Sequence, residues 1–335
     1  MNQDSGWRVA AALLAAGVFA QAQSARAQSP PDPAAIWTLQ DENASLSTAG
    51  ITDRYYVNGL RLGYTSPENK VPAPLAGLAQ SVWGAGAVRL SFDLTQQIYT
   101  PDDTSAHTPP ANDRPYAGVL LGTLGLLRDG PDSRSLLALS LGLVGPDALA
   151  QSVQNGFHDL IGQGHTDGWR SQLSDEPLLE ATAARVWRLP LGHVGGLETD
   201  ALPDLAAGLG NLRIYGQGGV IIRLGQGLDS DYGAARVAPG PSGWDAYTPT
   251  RPFAWYVFAG GDGQAVARDI TLNGNDFTSS VHVDPTPLVG EAEAGIGLLA
   301  FGARLTYTHV LQTQEFVHQK GGLHQFGSLA LSMRF

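Results

Sequence analysis

Large apolar residues alternate with small or polar ones along much of the chain. In Gly59-Leu60-Arg61-Leu62-Gly63-Tyr64-Thr65 the leucines and the tyrosine are separated by glycine and arginine. Val88, Leu90, Phe92 and Leu94 oppose Arg89, Ser91, Asp93 and Thr95. Phe301, Ala303, Leu305 and Tyr307 oppose Gly302, Arg304, Thr306 and Thr308, and the last stretch puts Leu329, Leu331, Met333 and Phe335 on one face. A strand points successive side chains to opposite faces, so this period of two predicts β-strands with one apolar face. Segments long enough to cross a bilayer at a tilt fall at 57–66, 86–98, 116–128, 134–144, 178–187, 211–224, 252–260, 289–299, 301–312 and 324–335. Pieces at 35–42 and near 192–200 bring the number to about twelve.

A secreted β-sandwich or a soluble barrel would show the same alternation. Segment length and the aromatic residues near segment ends (Trp37, Tyr55, Tyr56, Trp83, Tyr99, Trp255, Tyr256) favour strands in lipid, where aromatic girdles mark the interfaces. Lipid admits only helices or closed barrels, and no run of 18 apolar residues follows the leader. The expected fold is all-β: a transmembrane antiparallel β-barrel of about twelve strands.

One segment breaks the β pattern. From Gly145 to Gly162, Leu149, Val153, Phe157 and Leu160 recur at helical spacing. Pro146 suits a first helical turn and Asp147 suits its positive end. A short helix in a loop above the barrel is expected, with Gln154 and His158, four residues apart, on one face.

The N-terminus changes the compartment. Arg8 begins a short apolar run, and Ala25-Arg26-Ala27 supplies a small-residue cleavage site. Residues 1–27 are read as a signal peptide and 28–335 as the barrel domain. Loss of the leader removes Asp4, Arg8 and Arg26, leaving 308 residues and a net charge of −12 from the original 335 and −11. The acidic balance without a basic block argues against a nucleic-acid partner. The chain has no Cys, which excludes disulfides and thiol chemistry. Its 15% charged residues and 42 glycines suit a barrel wall better than a soluble domain. No G-x-S-x-G elbow, H-E-x-x-H or P-loop is present. Among the histidines, His158 stands out because it lies on the one helical segment.

Several motifs together resemble a known family. Asp53-Arg54-Tyr55-Tyr56-Val57-Asn58-Gly59-Leu60-Arg61-Leu62 resembles the TDRYYTNGLRL stretch of the outer-membrane lipid A 3'-O-deacylase family. Asp113-Arg114-Pro115-Tyr116-Ala117-Gly118 matches its DRPYAG. Val144-Gly145-Pro146 and Val153-Gln154-Asn155-Gly156-Phe157-His158 match its VGP and VQNGxH. Gly168-Trp169, Gln172-Leu173 and Asp175-Glu176-Pro177 resemble its GW, QL and DEP. The motifs run in order over nearly the whole mature chain.

The resemblance implies a twelve-stranded barrel in the cell outer membrane that removes the 3'-linked acyloxyacyl group of lipid A, with calcium as cofactor. It implies a site between the barrel wall and a helix in an outer-surface loop. His158 would be the general base, Asn43 a second catalytic residue, and Gln154 and Asn155 substrate contacts. Partners would be lipopolysaccharide, the membrane itself and, during insertion, the barrel-assembly machinery. Three departures stand against the pattern. The family aspartate falls on Ala44, the threonine of YYTNGL falls on Val57, and the lysine of some members has no match near Tyr99–Ser105. Asp41, Glu42 and Asp53 are the nearby carboxylates, but Asp41 and Glu42 cannot face the same way on a regular strand. Two other functions fit the same fold: a barrel that holds lipid A with little or no activity, and a small pore.

Overall fold

A computed structural model of the chain describes residues 31–47, 54–237 and 244–335. The leader expected at 1–27 and Asp53 lie outside the described residues. The strands are β1 (Ile36–Asn43), β2 (Tyr55–Thr65), β3 (Ala87–Thr100), β4 (Ala117–Asp129), β5 (Ser133–Val144), β6 (Glu176–Trp187), β7 (Leu189–Val194), β8 (Leu197–Gly210), β9 (Arg213–Gln226), β10 (Phe253–Asp269), β11 (Leu288–Ala300), β12 (Ala303–Gln312) and β13 (His324–Arg334). All pairings are antiparallel, and β1 closes on β13 from Ile36 opposite Arg334 to Asn43 opposite Gly327. β6 and β7 are one stave interrupted at Arg188, since both pair with β8. The thirteen segments therefore make twelve staves in a closed ring. The pairings of β1 with β13 and of β6 with β8 close the ring, which is the condition for a sheet in lipid, and only β7 at the tip of its hairpin has a single strand partner.

Two expected strands change shape. The segment near 192–200 is the tip of a hairpin, turning at Gly195 and Gly196, and its second strand runs on to Gly210. Pro203, Asp204 and the small residues at 206–208 dilute the alternation there. β10 likewise continues to Asp269 through Gly260, Gly261 and Gly263.

Ala35 and Phe335 exchange backbone hydrogen bonds at one rim, at 3.1 and 2.9 Å. The opposite rim carries the connections 101–116, 145–175 and 270–287. Outer-membrane barrels place longer loops outside, and the longest connection, 145–175, lies at this opposite rim, so the rim of the termini is periplasmic. At that rim Asp32 accepts two hydrogen bonds from Arg334, each 2.7 Å, and one from Arg89 at 2.8 Å. Burial opposes the charge of Asp32. The Arg334 hydrogen bonds, the Ala34 amide and the two guanidiniums outweigh it and hold the carboxyl below its ordinary range.

The outward faces carry exposed leucines such as Leu39, Leu62, Leu94, Leu124 and Leu139. The lumen is filled by charge. Arg223 meets Asp200 at 2.6 Å and Asp231 at 2.5 Å, and Arg304 meets Asp231 at 2.7 Å. Removing one member of such a buried group typically costs about 3–5 kcal/mol, because the other charge is left alone. Two described parts of the periplasmic connection between β9 and β10, residues 235–237 and 244–246, fold up into this lumen. Gln40 donates to the Ala235 carbonyl, Arg236 pairs with Glu42 and Glu291, and Arg134 donates to the carbonyls of Trp244 and Ala246.

Parity also divides the aromatic residues. Trp37 and Trp255 face outward, while Tyr56, Tyr99 and Tyr256 are buried inside and belong to no girdle. Arginines hold two of them, with Arg114 4.4 Å from the Tyr99 ring and Arg223 5.0 Å from that of Tyr256.

A helix that the periodicity did not announce, α1 (Ala73–Trp83), lies on the periplasmic β2–β3 connection. It has no charged residue and so little polar contrast to read. Ala79 packs against Val88 and Leu126 on the outer wall, flanked by Leu75 and Leu90.

Candidate active site

The helix expected within 145–162 is α2 (Ala150–Ile161), preceded by a 3-10 turn at Pro146–Ala148. Leu149 joins them at φ 61, a left-handed conformation that costs a branched residue roughly 1–2 kcal/mol. Gln96 secures the turn from the wall, donating to the Ala148 carbonyl at 2.6 Å. The helix approaches the outer wall closely only because Gly118 is there. A Cβ at Gly118 would lie 2.6 Å from the Ala150 Cβ. Ala150 then packs with Val57, Ile98, Tyr116 and Trp169 between helix and barrel.

The wall-facing residues of α2 are Ala150, Gln154 and His158, at i, i+4 and i+8. The apolar stripe is on the other side. Leu160 is 81% exposed, Leu149 56% and Phe157 48%. In water this helix would be inside out. At the edge of a leucine-covered barrel the surrounding medium is hydrocarbon, so the apolar face belongs outside and the polar face is enclosed.

Gln154 and His158 are each 4% exposed. The Trp169 indole N–H donates to Gln154 Oε1 at 2.9 Å, and the Thr166 hydroxyl donates to it at 3.2 Å. These two bonds orient the amide so that the buried Nε2 is the end without a partner. His158 Nδ1 is 2.8 Å from the Gly164 carbonyl. A carbonyl can only accept, so Nδ1 carries the proton and Nε2 is the basic nitrogen of the neutral ring. Asn155 has a bracing position: its Oδ1 accepts from both the backbone N–H and the hydroxyl of Thr166, at 3.0 Å each. The sequence points to Trp169 only as part of the GW match, with no role attached, and does not point to Thr166. Both lie in the irregular return after α2, where no periodicity points to them.

Asn43 ends β1 facing outward. It stands opposite Asn58, which stands opposite Ile98, which stands opposite Gly118 under the helix. One outward row thus runs from Asn43 to the floor of α2. The Asn43 Oδ1 accepts from the Ser45 amide at 2.8 Å. Asp41 also faces outward and accepts from Asn58 Nδ2 at 2.7 Å. Glu42 faces the lumen, where Tyr56, Arg236 and the Val237 amide hold it. Strand parity therefore removes Glu42 as a stand-in for the carboxylate missing at Ala44. Val57 is buried beneath α2, so no side-chain hydroxyl is present at that point.

A calcium ion takes about six to eight oxygen ligands, with carboxylates prominent. The outer row and the row below it offer one carboxylate among the described residues, Asp41, and the amides of Asn43 and Asn58, each already engaged in a hydrogen bond. Among the described residues no group of three or more His, Asp or Glu side chains is arranged to hold a metal. These residues do not make a calcium site.

The family model described as outer membrane protein LpxR matches residues 9–335. Among solved structures, LpxR from Salmonella typhimurium is similar with a TM-score of 0.73 and 22% identity, covering 90% of this chain and 100% of its own. The β domain of the Bordetella autotransporter BrkA follows at TM-score 0.39 and 11% identity, covering 92% of this chain and 100% of its own. The translocator domain of NalP from Neisseria meningitidis follows at 0.38 and 14%, covering 92% and 90%. No curated protein matches the chain by direct sequence comparison.

Proposed function

The chain belongs to the LpxR family of outer-membrane lipid A deacylases, and we propose that it hydrolyses the 3'-linked acyloxyacyl ester of lipopolysaccharide at the outer surface of the barrel wall. The observation that carries this reading is the enclosed polar stripe of α2, with His158 and Gln154 facing the wall beside hydrocarbon. A lipid ester lying in the outer leaflet reaches such a site from the side, without passing through the lumen.

His158 Nε2 takes a proton from water as the water oxygen bonds to the ester carbonyl carbon. Collapse of the tetrahedral intermediate breaks the bond to the 3' oxygen, which receives the proton from His158. The products are a free acyloxy fatty acid, its secondary ester intact, and a 3'-hydroxyl on lipid A. Gln154 Nε2 is the oriented donor for the carbonyl oxygen, as charge develops on it. Asn155 keeps Thr166 in place, and Thr166 in turn orients Gln154. Asn43 borders the same outer row. The calcium that the family resemblance implies has no fitting ligand set among the described residues, and no step above passes through it. The barrel-assembly machinery would insert the exported chain.

A second reading is a barrel that holds lipid A without cleaving it, favoured by Val57 and Ala44 in place of the family's hydroxyl and carboxylate. Expression in a host with hexa-acylated lipid A separates the two. Deacylation lowers the lipid A mass by one acyloxyacyl group, and His158→Ala leaves the mass unchanged. An unchanged profile from folded wild-type protein establishes the second reading.

A further inference from the structure

The outer wall carries a second built feature at the periplasmic end, far from α2. Leu126 of β4, Leu137 of β5, Ala183 of β6 and Ala207 of β8 face outward in one row, since each stands opposite the next. The row above it is Leu124, Leu139, Ala181 and Leu209. The alanines lie lower than the leucines around them, and Leu75 and Leu78 of α1 wall off one end. The result is an almost wholly apolar depression of about 450 Å³ on the lipid-facing surface.

The next row toward the periplasm is cationic. Arg128, Ser135 and Arg185 stand opposite one another on the same outward face. Ser133 lies between the two arginines, 3.4 Å from Arg128 Nη1 and 3.1 Å from Arg185 Nη2. Arg128 otherwise donates to the Ala85 carbonyl. Arg185 lies 5.3 Å from the ring of Trp187. Neither guanidinium forms a salt bridge or hydrogen bond with an acidic side chain among the described residues, and Asp129, next to Arg128 in the chain, is bound to Arg134 on the lumen side. The Arg185 Nε and the Ser135 hydroxyl are buried with no hydrogen-bond partner. Two arginines without counter-ions on a lipid-facing wall are costly unless an anion meets them. Trp187, two residues nearer the rim, marks the level at which lipid headgroups lie.

We propose that this surface binds one glycerophospholipid of the periplasmic leaflet. The phosphate sits at Arg185, Ser135 and Arg128, and an acyl chain lies in the depression floored by Ala181, Ala183 and Ala207. The apolar part is continuous with the lipid-facing wall, and the arginines are complementary to a phosphate diester. Lipopolysaccharide phosphates lie in the opposite leaflet, which favours a phospholipid as the occupant.

The test uses the folded, delipidated mature protein and native mass spectrometry with added phosphatidylglycerol. Wild type retains one lipid. Arg185→Gln weakens retention by about tenfold or more, as expected for loss of a charge-assisted hydrogen bond. Ala183→Phe, which fills the depression, weakens it similarly, while Ala294→Phe on the far outer wall does not. Diacylglycerol with the same chains is not retained. His158→Ala binds the phospholipid as wild type does, which separates this site from the deacylation reading. A heat-modifiability gel establishes that each variant is folded. If Arg185→Gln does not fold, Ala183→Phe and the diacylglycerol comparison decide. Equal retention by Ala183→Phe and wild type, equal retention of diacylglycerol, or a preference for lipid A would overturn the proposal.

Discussion

The two outer-wall helices sit at opposite rims over the same strands and bury opposite kinds of residue. α1 presses Ala79 and Leu75 onto Val88 and Leu126, so apolar meets apolar on its inner side. Its outer side is apolar too, with Leu78 and Val82 exposed. α2 puts Gln154 and His158 against the wall and gives Leu149, Phe157 and Leu160 to the surroundings. A helix that is apolar on both sides can serve as a filler between wall and lipid. A helix that encloses polar groups beside hydrocarbon bears a desolvation cost that apolar packing would not, and the proposed function gives that cost its purpose.

Substitutions should break the comparison unequally. His158→Ala should lower deacylation by about 100-fold or more, the range lost with a general base, while Ala79→Ser on α1 should leave the rate unchanged. A comparable rate in both variants would end the assignment of His158. Gln154→Ala should cost about tenfold in kcat with little change in KM, because the donor acts on charge that develops during reaction. An effect confined to KM would reassign Gln154 to ground-state binding. The paired change Phe157→Asn and Leu160→Asn should reduce activity on lipopolysaccharide in vesicles by about threefold and leave detergent-dispersed substrate unaffected. An equal loss in both media would mean that these residues support the helix itself.

The smallest expected effect lies at the periplasmic rim that carries α1. Asp32→Asn should lower the unfolding temperature at neutral pH. The Asp32 carboxyl is held below its ordinary range in the fold, so its stabilisation is present above the unfolded value near about 4. It is lost as pH falls through the lower folded value. The gap between wild type and Asp32→Asn, followed by heat-modifiability, should therefore narrow as the pH is lowered below about 4. A gap that persists there would place the effect in packing rather than charge.

Much of this was legible from the chain. The alternation located nearly every stave because a membrane strand must keep one apolar and one small or polar face. The i, i+4 spacing alone put Gln154 and His158 on one helical face. Other features were not legible. Alternation fixes that Asp41 and Glu42 point apart, but only the register with β2 and β13 decided that Asp41 faces out and Glu42 in. β10 ran nine residues past its expected end because glycines carry no face to read. The row Arg128, Ser135 and Arg185 draws on three strands, so no local pattern announces it.

The sequence by itself determined a barrel of about twelve staves, the place of most of them, the position of α2 and the shared helix face of Gln154 and His158, because these depend on periodicity within one segment. Only the tertiary structure decided which side of α2 is inside. An apolar stripe names a helix face but not the medium it meets, and here that medium is lipid. The tertiary structure also brought Trp169 and Thr166 onto Gln154 and folded residues 235–237 and 244–246 into the lumen. Those contacts join residues far apart in the chain or lying in irregular backbone, where no period exists to be read.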